Sequence, residues 1–183
     1  MFESLNLFKK PKTSLLSGEL NQLSKIYLNP LSSKKIKKAI EFADKAHEGQ
    51  FRKSGEPFLI HPINVGLTLA SLKMDADTII AGLLHDVVED CEISLPTVKK
   101  EFGKNVAALV DGMTKLLKLD DKLKDQSQAE YFQKMALATA SDVRVVIIKL
   151  ADRLHNLKTI EHLPRKKQIK KAKETLDLYA PLA

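Results

Sequence analysis

Asp75–Asp90 reads DADTIIAGLLHDVVED. At about 100° per residue, this stretch makes a helix with two unlike sides. Ile79, Ile80, Leu83, Leu84, Val87 and Val88 fall on one apolar face. His85, Asp86, Glu89 and Asp90 form a stripe on the other, Glu89 one turn after His85 and Asp90 one turn after Asp86. Thr78 and Gly82 continue that stripe, where a solvated face would carry Lys and Glu. The pattern predicts one helix, capped by Asp75 or Asp77 and reaching Asp90, whose polar side is a pocket wall.

The charge around it is one-sided. Met74 to Val98 holds no Lys or Arg, yet contains Asp75, Asp77, Asp86, Glu89, Asp90 and Glu92. Crowded carboxylates must take up protons or gain a cation. A divalent metal on His85 and Asp86 would supply that charge; an acidic, exposed helix end with an incidental histidine is the competing reading. His61 stands just before Pro62 at a helix start, and Asp152 lies in an apolar segment where a charge is costly unless paired or ligating. Taken alone, each reads more simply as structural: His61 as a capping or satisfied histidine, Asp152 as a pair with Lys149 or Arg153. A site of two His and two Asp suits Mn²⁺, Fe²⁺ or Zn²⁺ better than soft metals. His47, His155 and His162 receive no ligand role.

Working outward, the chain reads as helices throughout. Residues 1–17 are expected to be a tail broken by Pro11, with a helix from Gly18 to Leu28 ended by Asn29-Pro30. Ser32 or Ser33 caps the next helix, with Ile36, Ala39, Ile40 and Ala43 on its apolar face and Gly49 past its end. Gln50 to Ile60 is a loop carrying Arg52, Lys53 and Ser54. Pro96 starts a short helix and Val106 to Leu117 another. Leu119 to Gln128 is a polar connection, and Ala129 to Ala140 is helical. Val143 to Leu157 opens on β-branched residues but keeps helical spacing through Ile147, Leu150, Leu154 and Leu157. The last helix, from about Arg165, places Ile169, Ala172, Leu176 and Tyr179 on one face.

The totals agree with an all-α, multi-helix domain. The chain has 183 residues, 44% hydrophobic and 29% charged, with seven Gly and no Trp. The run from Pro57 up to Lys73 is too short and too polar for a membrane span, and no signal peptide is evident, so a cytoplasmic protein is expected. One cysteine, Cys91, forbids an internal disulfide. The net charge of +7 suits an anionic substrate or partner. The basic clusters lack interleaved aromatics, so nucleic-acid binding is not supported.

His61, the adjacent His85-Asp86 pair and the distant Asp152 resemble the signature of the HD phosphohydrolase superfamily. The match narrows with HEGQFRKSGEPFLIHP, AGLLHDVVED, EFGKNVAALVDGMTKL, VRVVIIKLADRLHNLKTIEHLP and ETLDLYAPLA. Together these resemble the hydrolase domain of the RelA/SpoT homologue family, from about Leu20 to Ala183. The resemblance implies an HD-type helix bundle over residues 18–183 that hydrolyses the alarmones ppGpp and pppGpp to GDP or GTP and pyrophosphate. It implies one Mn²⁺ on His61, His85, Asp86 and Asp152, and Glu89 and Asp90 serving the attacking water. It also implies Arg52, Lys53 and Ser54 at the substrate phosphates and guanine, and Asn156 and Thr159 at the ribose and base. Family members that only synthesise alarmone lose the HDxxED motif, which this chain keeps; Cys91 stands where Thr is common. Another HD nucleotide hydrolase and a non-catalytic alarmone-binding module are the alternatives. In the long members a synthetase domain follows, so a fragment of a longer bifunctional protein is expected, with self-association through exposed Leu176 and Tyr179.

Overall fold

The computed structural model describes residues 10–122 and 142–182. Among these residues the architecture is all-helical, the only extended pairing being a single bridge between Phe51 and Pro57. Helix α1 spans Lys10–Lys25, α2 Pro30–Ala46, α3 Ile60–Ser71, α4 Ala76–Leu83, α5 Val87–Asp90, α6 Leu95–Phe102, α7 Lys104–Lys122, α8 Arg144–Lys158 and α9 Arg165–Glu174. Among the described residues no helix is long and apolar enough to cross a membrane.

Several boundaries differ from the sequence expectation for local reasons. Helix α1 begins at Lys10, inside the expected tail. Pro11 sits in its first turn, where a missing N–H has no helical partner to lose, so it starts the helix and does not break it. Asn29 does not close α1; it caps α2, its side chain accepting from the Ser32 amide at 2.8 Å, with Pro30 in the first position. Ser32 and Ser33, the expected caps, lie inside α2. Helix α7 runs on through Leu119–Lys122, part of the expected connection. The rest of that connection and the expected helix Ala129 to Ala140 fall outside the described residues.

The core forms around α3 and α4, which pack against each other, α1 and α8 against α3, and α2, α7 and α8 against α4. Ile63, Leu69, Ile79, Ile80, Leu83 and Leu84 are fully buried there. Gly82 is part of this packing and not of a pocket wall: a Cβ added to it would meet Leu69 Cδ1 at under 3.0 Å and Val65 Cγ1 at 3.3 Å. Thr78 is likewise wholly buried. The absent side chain lets α3 and α4 come close, and these two helices deliver His61 and His85.

Asp75 caps α4, its carboxylate accepting from the Thr78 amide at 3.1 Å and hydroxyl at 2.7 Å. Arg144, at the start of α8, donates to the same carboxylate at 3.1 Å and to Asp142 at 2.6 Å, which fixes α8 against α4. The β-branched start of α8 is helical from Arg144, as the spacing predicts. At the C-terminal end, α9 gives way to a wider turn over Thr175–Tyr179 and a tight turn over Ala180–Leu182. The widened turn shifts the register. Tyr179 is thereby buried, its ring 4.1 Å from the Arg153 guanidinium carbon. Ile169, Ala172 and Leu176 stay exposed, so the expected common face is not formed.

Candidate metal centre

The expected single helix from Asp75 to Asp90 is broken. Helix α4 ends at Leu83, and Leu84 (φ −109°, ψ 7°) and Asp86 (φ −95°, ψ −10°) form a turn before α5. The break has a chemical consequence. On a regular helix neighbouring side chains diverge by about 100°, but here His85 Nε2 and Asp86 Oδ1 are 3.1 Å apart.

Two other helices complete the cluster. His61, in the first turn of α3, brings Nε2 to 3.3 Å from His85 Nε2 and 3.7 Å from Asp86 Oδ2. Asp152 of α8 places Oδ1 3.2 Å from His61 Nε2 and 3.8 Å from His85 Nε2. Metal–ligand bonds of about 2.0–2.2 Å separate neighbouring ligand atoms by roughly 3.0–3.5 Å. The spacings of 3.1–3.3 Å for His85–Asp86, His61–Asp152 and His61–His85 fit donors around one cation, and those of 3.7 and 3.8 Å lie slightly above the range. His61, His85 and Asp86 form a possible metal site with mixed nitrogen and oxygen donors.

The electrostatics ask for the same thing. Burial disfavours a charged His85, but the Asp86 and Asp152 carboxylates outweigh it and push its pKa up to about 9. Burial acts against the charge on Asp152, yet the hydrogen bond from His61 and the nearby His85 and Lys149 hold that carboxyl well below its usual range. Asp86 is held low against burial by His85 and His61. The Asp86 and Asp152 carboxylates thus draw positive charge onto His85, while burial lowers the pKa of His61, and a divalent cation would supply the missing charge directly.

Each histidine is oriented from behind. His85 Nδ1 donates to the Gly82 carbonyl at 2.7 Å, which turns Nε2 toward the cluster. His61 Nδ1 is 2.8 Å from Nδ1 of His155, a buried residue of α8 to which the sequence reading gave no role. Burial, with His61 and Arg52 nearby, lowers the His155 pKa to about 3. Helical spacing carried the signal: Asp152 and His155, three residues apart on one helix, share a face.

The other candidate residues divide. Arg52 reaches the rim, Nη2 donating to Asn156 Oδ1 at 2.9 Å, and Asn156 in turn donates to Asp152. Burial lowers the Arg52 pKa while Asp86 and Asp152 support its charge. Its loop is closed by the Arg52 amide on the Glu56 carbonyl at 2.9 Å and by Gly55 at φ 78°, a left-handed turn that suits glycine. Lys53 is exposed on this turn, Ser54 directs its hydroxyl to Glu56, and Thr159 directs its own to the His155 carbonyl. The hydroxyls of Ser54 and Thr159 are engaged in these local hydrogen bonds. Glu89 and Asp90, on α5, are exposed beside it. Partial burial raises both pKa values, and the Asp86 charge adds to this. The Lys149–Asp152 pair weighed from sequence is present, Nζ 3.8 Å from Oδ2.

Comparison with known proteins agrees with this geometry. The HD domain family model matches residues 39–183. The chain is 47% identical over 168 residues to the bifunctional (p)ppGpp synthase/hydrolase SpoT of Escherichia coli K12, covering 92% of this chain and 24% of that protein. It is 52% identical over 150 residues to a GTP pyrophosphokinase of Streptomyces coelicolor, covering 82% of this chain and 18% of the relative. The chain thus spans about a fifth to a quarter of these curated relatives. A solved structure described as "A metazoan ortholog of SpoT hydrolyzes ppGpp and plays a role in starvation responses" superposes with a TM-score of 0.62 at 30% identity, covering 82% of this chain and 86% of that one. The chain belongs to the HD-domain family, in its RelA/SpoT branch.

Proposed function

We propose that this domain hydrolyses guanosine 3′-diphosphate 5′-di- or triphosphate to GDP or GTP and pyrophosphate. The observation that carries the reading is the convergence of His61, His85 and Asp86, with Asp152 Oδ1 3.2 Å from His61 and 3.8 Å from His85, beside the Arg52 guanidinium. His61, His85, Asp86 and Asp152 would hold one Mn²⁺, a cation suited to mixed nitrogen and oxygen donors. When bound, the cation supplies Lewis-acid polarisation of a phosphoryl oxygen and lowers the pKa of water.

The chain's own residues do the rest. Glu89 or Asp90 takes the proton of the attacking water as its oxygen bonds to phosphorus. The bond from phosphorus to the ribose 3′ oxygen breaks, and that oxygen takes up a proton that the same carboxyl returns. The raised pKa of both carboxyls brings them nearer to neutral pH, where a general base works best. Arg52, with Lys53 and Ser54 on the same turn, meets the phosphate charge. Asn156, already bridging Arg52 and Asp152, and Thr159 line the nucleoside end.

Pyrophosphate release from ppGpp with added Mn²⁺ tests the proposal. Release that stops on chelation is expected. No release from ppGpp, with turnover of another nucleotide in a panel, would refute the substrate; tight alarmone binding without turnover would refute catalysis.

A further inference from the structure

The two histidines of the centre are held in their metal-ready form by different devices. A carbonyl can only accept, so the Gly82 oxygen 2.7 Å from His85 Nδ1 leaves that nitrogen no role but donor. For His61 the partner is another imidazole, whose Nδ1 can either donate or accept. His61 can offer its Nε2 lone pair only if its proton sits on Nδ1. Its partner must then accept, with its own proton on Nε2.

We propose that His155 is a positioning residue that selects the His61 tautomer and so sets the affinity of the centre for its cation. The inference rests on the metal-centre reading above. Both rings are buried and belong to separate helices, 94 residues apart in sequence, so neither can turn away without repacking α3 against α8. Their centroids lie 4.9 Å apart at 48°, which is too tilted for stacking, and the contact is made through the nitrogens. The order of residues on α8 serves the same end: Asp152 faces the cation site directly and His155 reaches it through His61.

Two nearly isosteric substitutions separate acceptance from packing. In His155→Asn an amide oxygen takes the place of Nδ1, whereas in His155→Leu a methyl group does. Mn²⁺ affinity is measured on the metal-free protein by calorimetry, with no nucleotide present, and folding is followed by circular dichroism. His155→Leu should bind Mn²⁺ about 10–100-fold more weakly, and His155→Asn should stay within about threefold of wild type, a tolerance set by the retained acceptor. Leucine binding like wild type, or asparagine failing as badly as a folded leucine variant, would overturn the proposal. Should the leucine variant not fold, ¹⁵N spectra of wild type loaded with diamagnetic Zn²⁺ decide: Nδ1–H on His61 with Nε2–H on His155 is expected, and a proton on His155 Nδ1 overturns it. Because these readouts need no turnover, failure of the hydrolysis reading would appear separately, as intact Mn²⁺ binding without pyrophosphate release.

Discussion

Replacing glycine by alanine at three positions should give three different answers, ordered by the space around each. In Gly82→Ala the new Cβ would meet Leu69 Cδ1 at under 3.0 Å. An ordinary carbon contact is about 3.5–4.0 Å, so Leu69 must retreat by about 1 Å. Leu69 is completely buried and has nowhere to go. Overpacking of this kind costs about 1–3 kcal/mol, while alanine recovers about 0.5–1 kcal/mol of helix propensity. The net loss is about 1–2 kcal/mol, a fall in Tm of about 3–6 °C for a domain of this size. In Gly66→Ala the Cβ would sit 3.1 Å from Leu20 Cδ2 and 3.3 Å from Leu83 Cδ2, a milder crowding that should nearly cancel the propensity gain. In Gly18→Ala, within α1, the Cβ would meet nothing within 4 Å, and Tm should rise by about 2 °C. Thermal unfolding by circular dichroism reads all three. A Gly82→Ala protein melting at or above wild type would refute the claim that close approach of α3 and α4 requires glycine.

Removing Mn²⁺ by chelation should lower Tm, and excess Mn²⁺ should restore it, because a ligand of the native state stabilises by mass action; an unmoved Tm would dissociate the cation from folding. Glu89→Gln and Asp90→Asn should retain Mn²⁺ but lose roughly 10²-fold in kcat, whereas two variants that turn over normally would leave α5 a solvated helix end. For Arg52→Ala, a raised KM with unaltered metal content is expected, and an unchanged kcat/KM would move the phosphate contact elsewhere. Arg144→Leu should lower Tm at neutral pH, with the gap to wild type closing in acid. The hydrogen bond from Arg144 depresses the folded pKa of Asp142, and the Thr78 cap bonds with Arg144 overcome burial to depress that of Asp75. Their stabilisation is therefore complete above the unfolded carboxylate pKa of about 4 and is lost as pH falls through the lower folded values. Equal Tm values near neutral pH, or a gap that does not shrink as pH falls below about 4, would contradict this.

Helical class and most helix positions were legible because apolar spacing is a direct record of which face is buried, as at Ile36, Ala39, Ile40 and Ala43. The candidate metal donors stand out as residue types in the wrong setting: His85 and Asp86 in a segment without cations, and Asp152 in an apolar one. Their geometry was not legible. The helix break at Leu84–Asp86 carries no proline or glycine at the break itself, and tertiary packing decides it. For the same reason Gly82 looked like a pocket wall when it is a contact between helices. His155 escaped notice because a histidine acting through another histidine leaves no motif. Pro11 and Asn29 were assigned to the wrong side of their boundaries, since proline and asparagine can close one helix or open the next, and local sequence weighs both equally.

The turn that puts His85 beside Asp86 also decides what a bound ion does to the rest of the chain. Those donors are neighbours in any conformation, while His61 lies 24 residues from His85. An ion gripping both ends cross-links the segment that contains most of α3 and all of α4. By the loop-entropy rule for covalent staples, closing 24 residues removes about 3 kcal/mol of freedom from the unfolded chain. The single cysteine of this chain can form no disulfide within it, so a bound ion would be a staple of another kind, and a reversible one. If the centre holds its ion, copies stripped of it would open more often and meet proteases first.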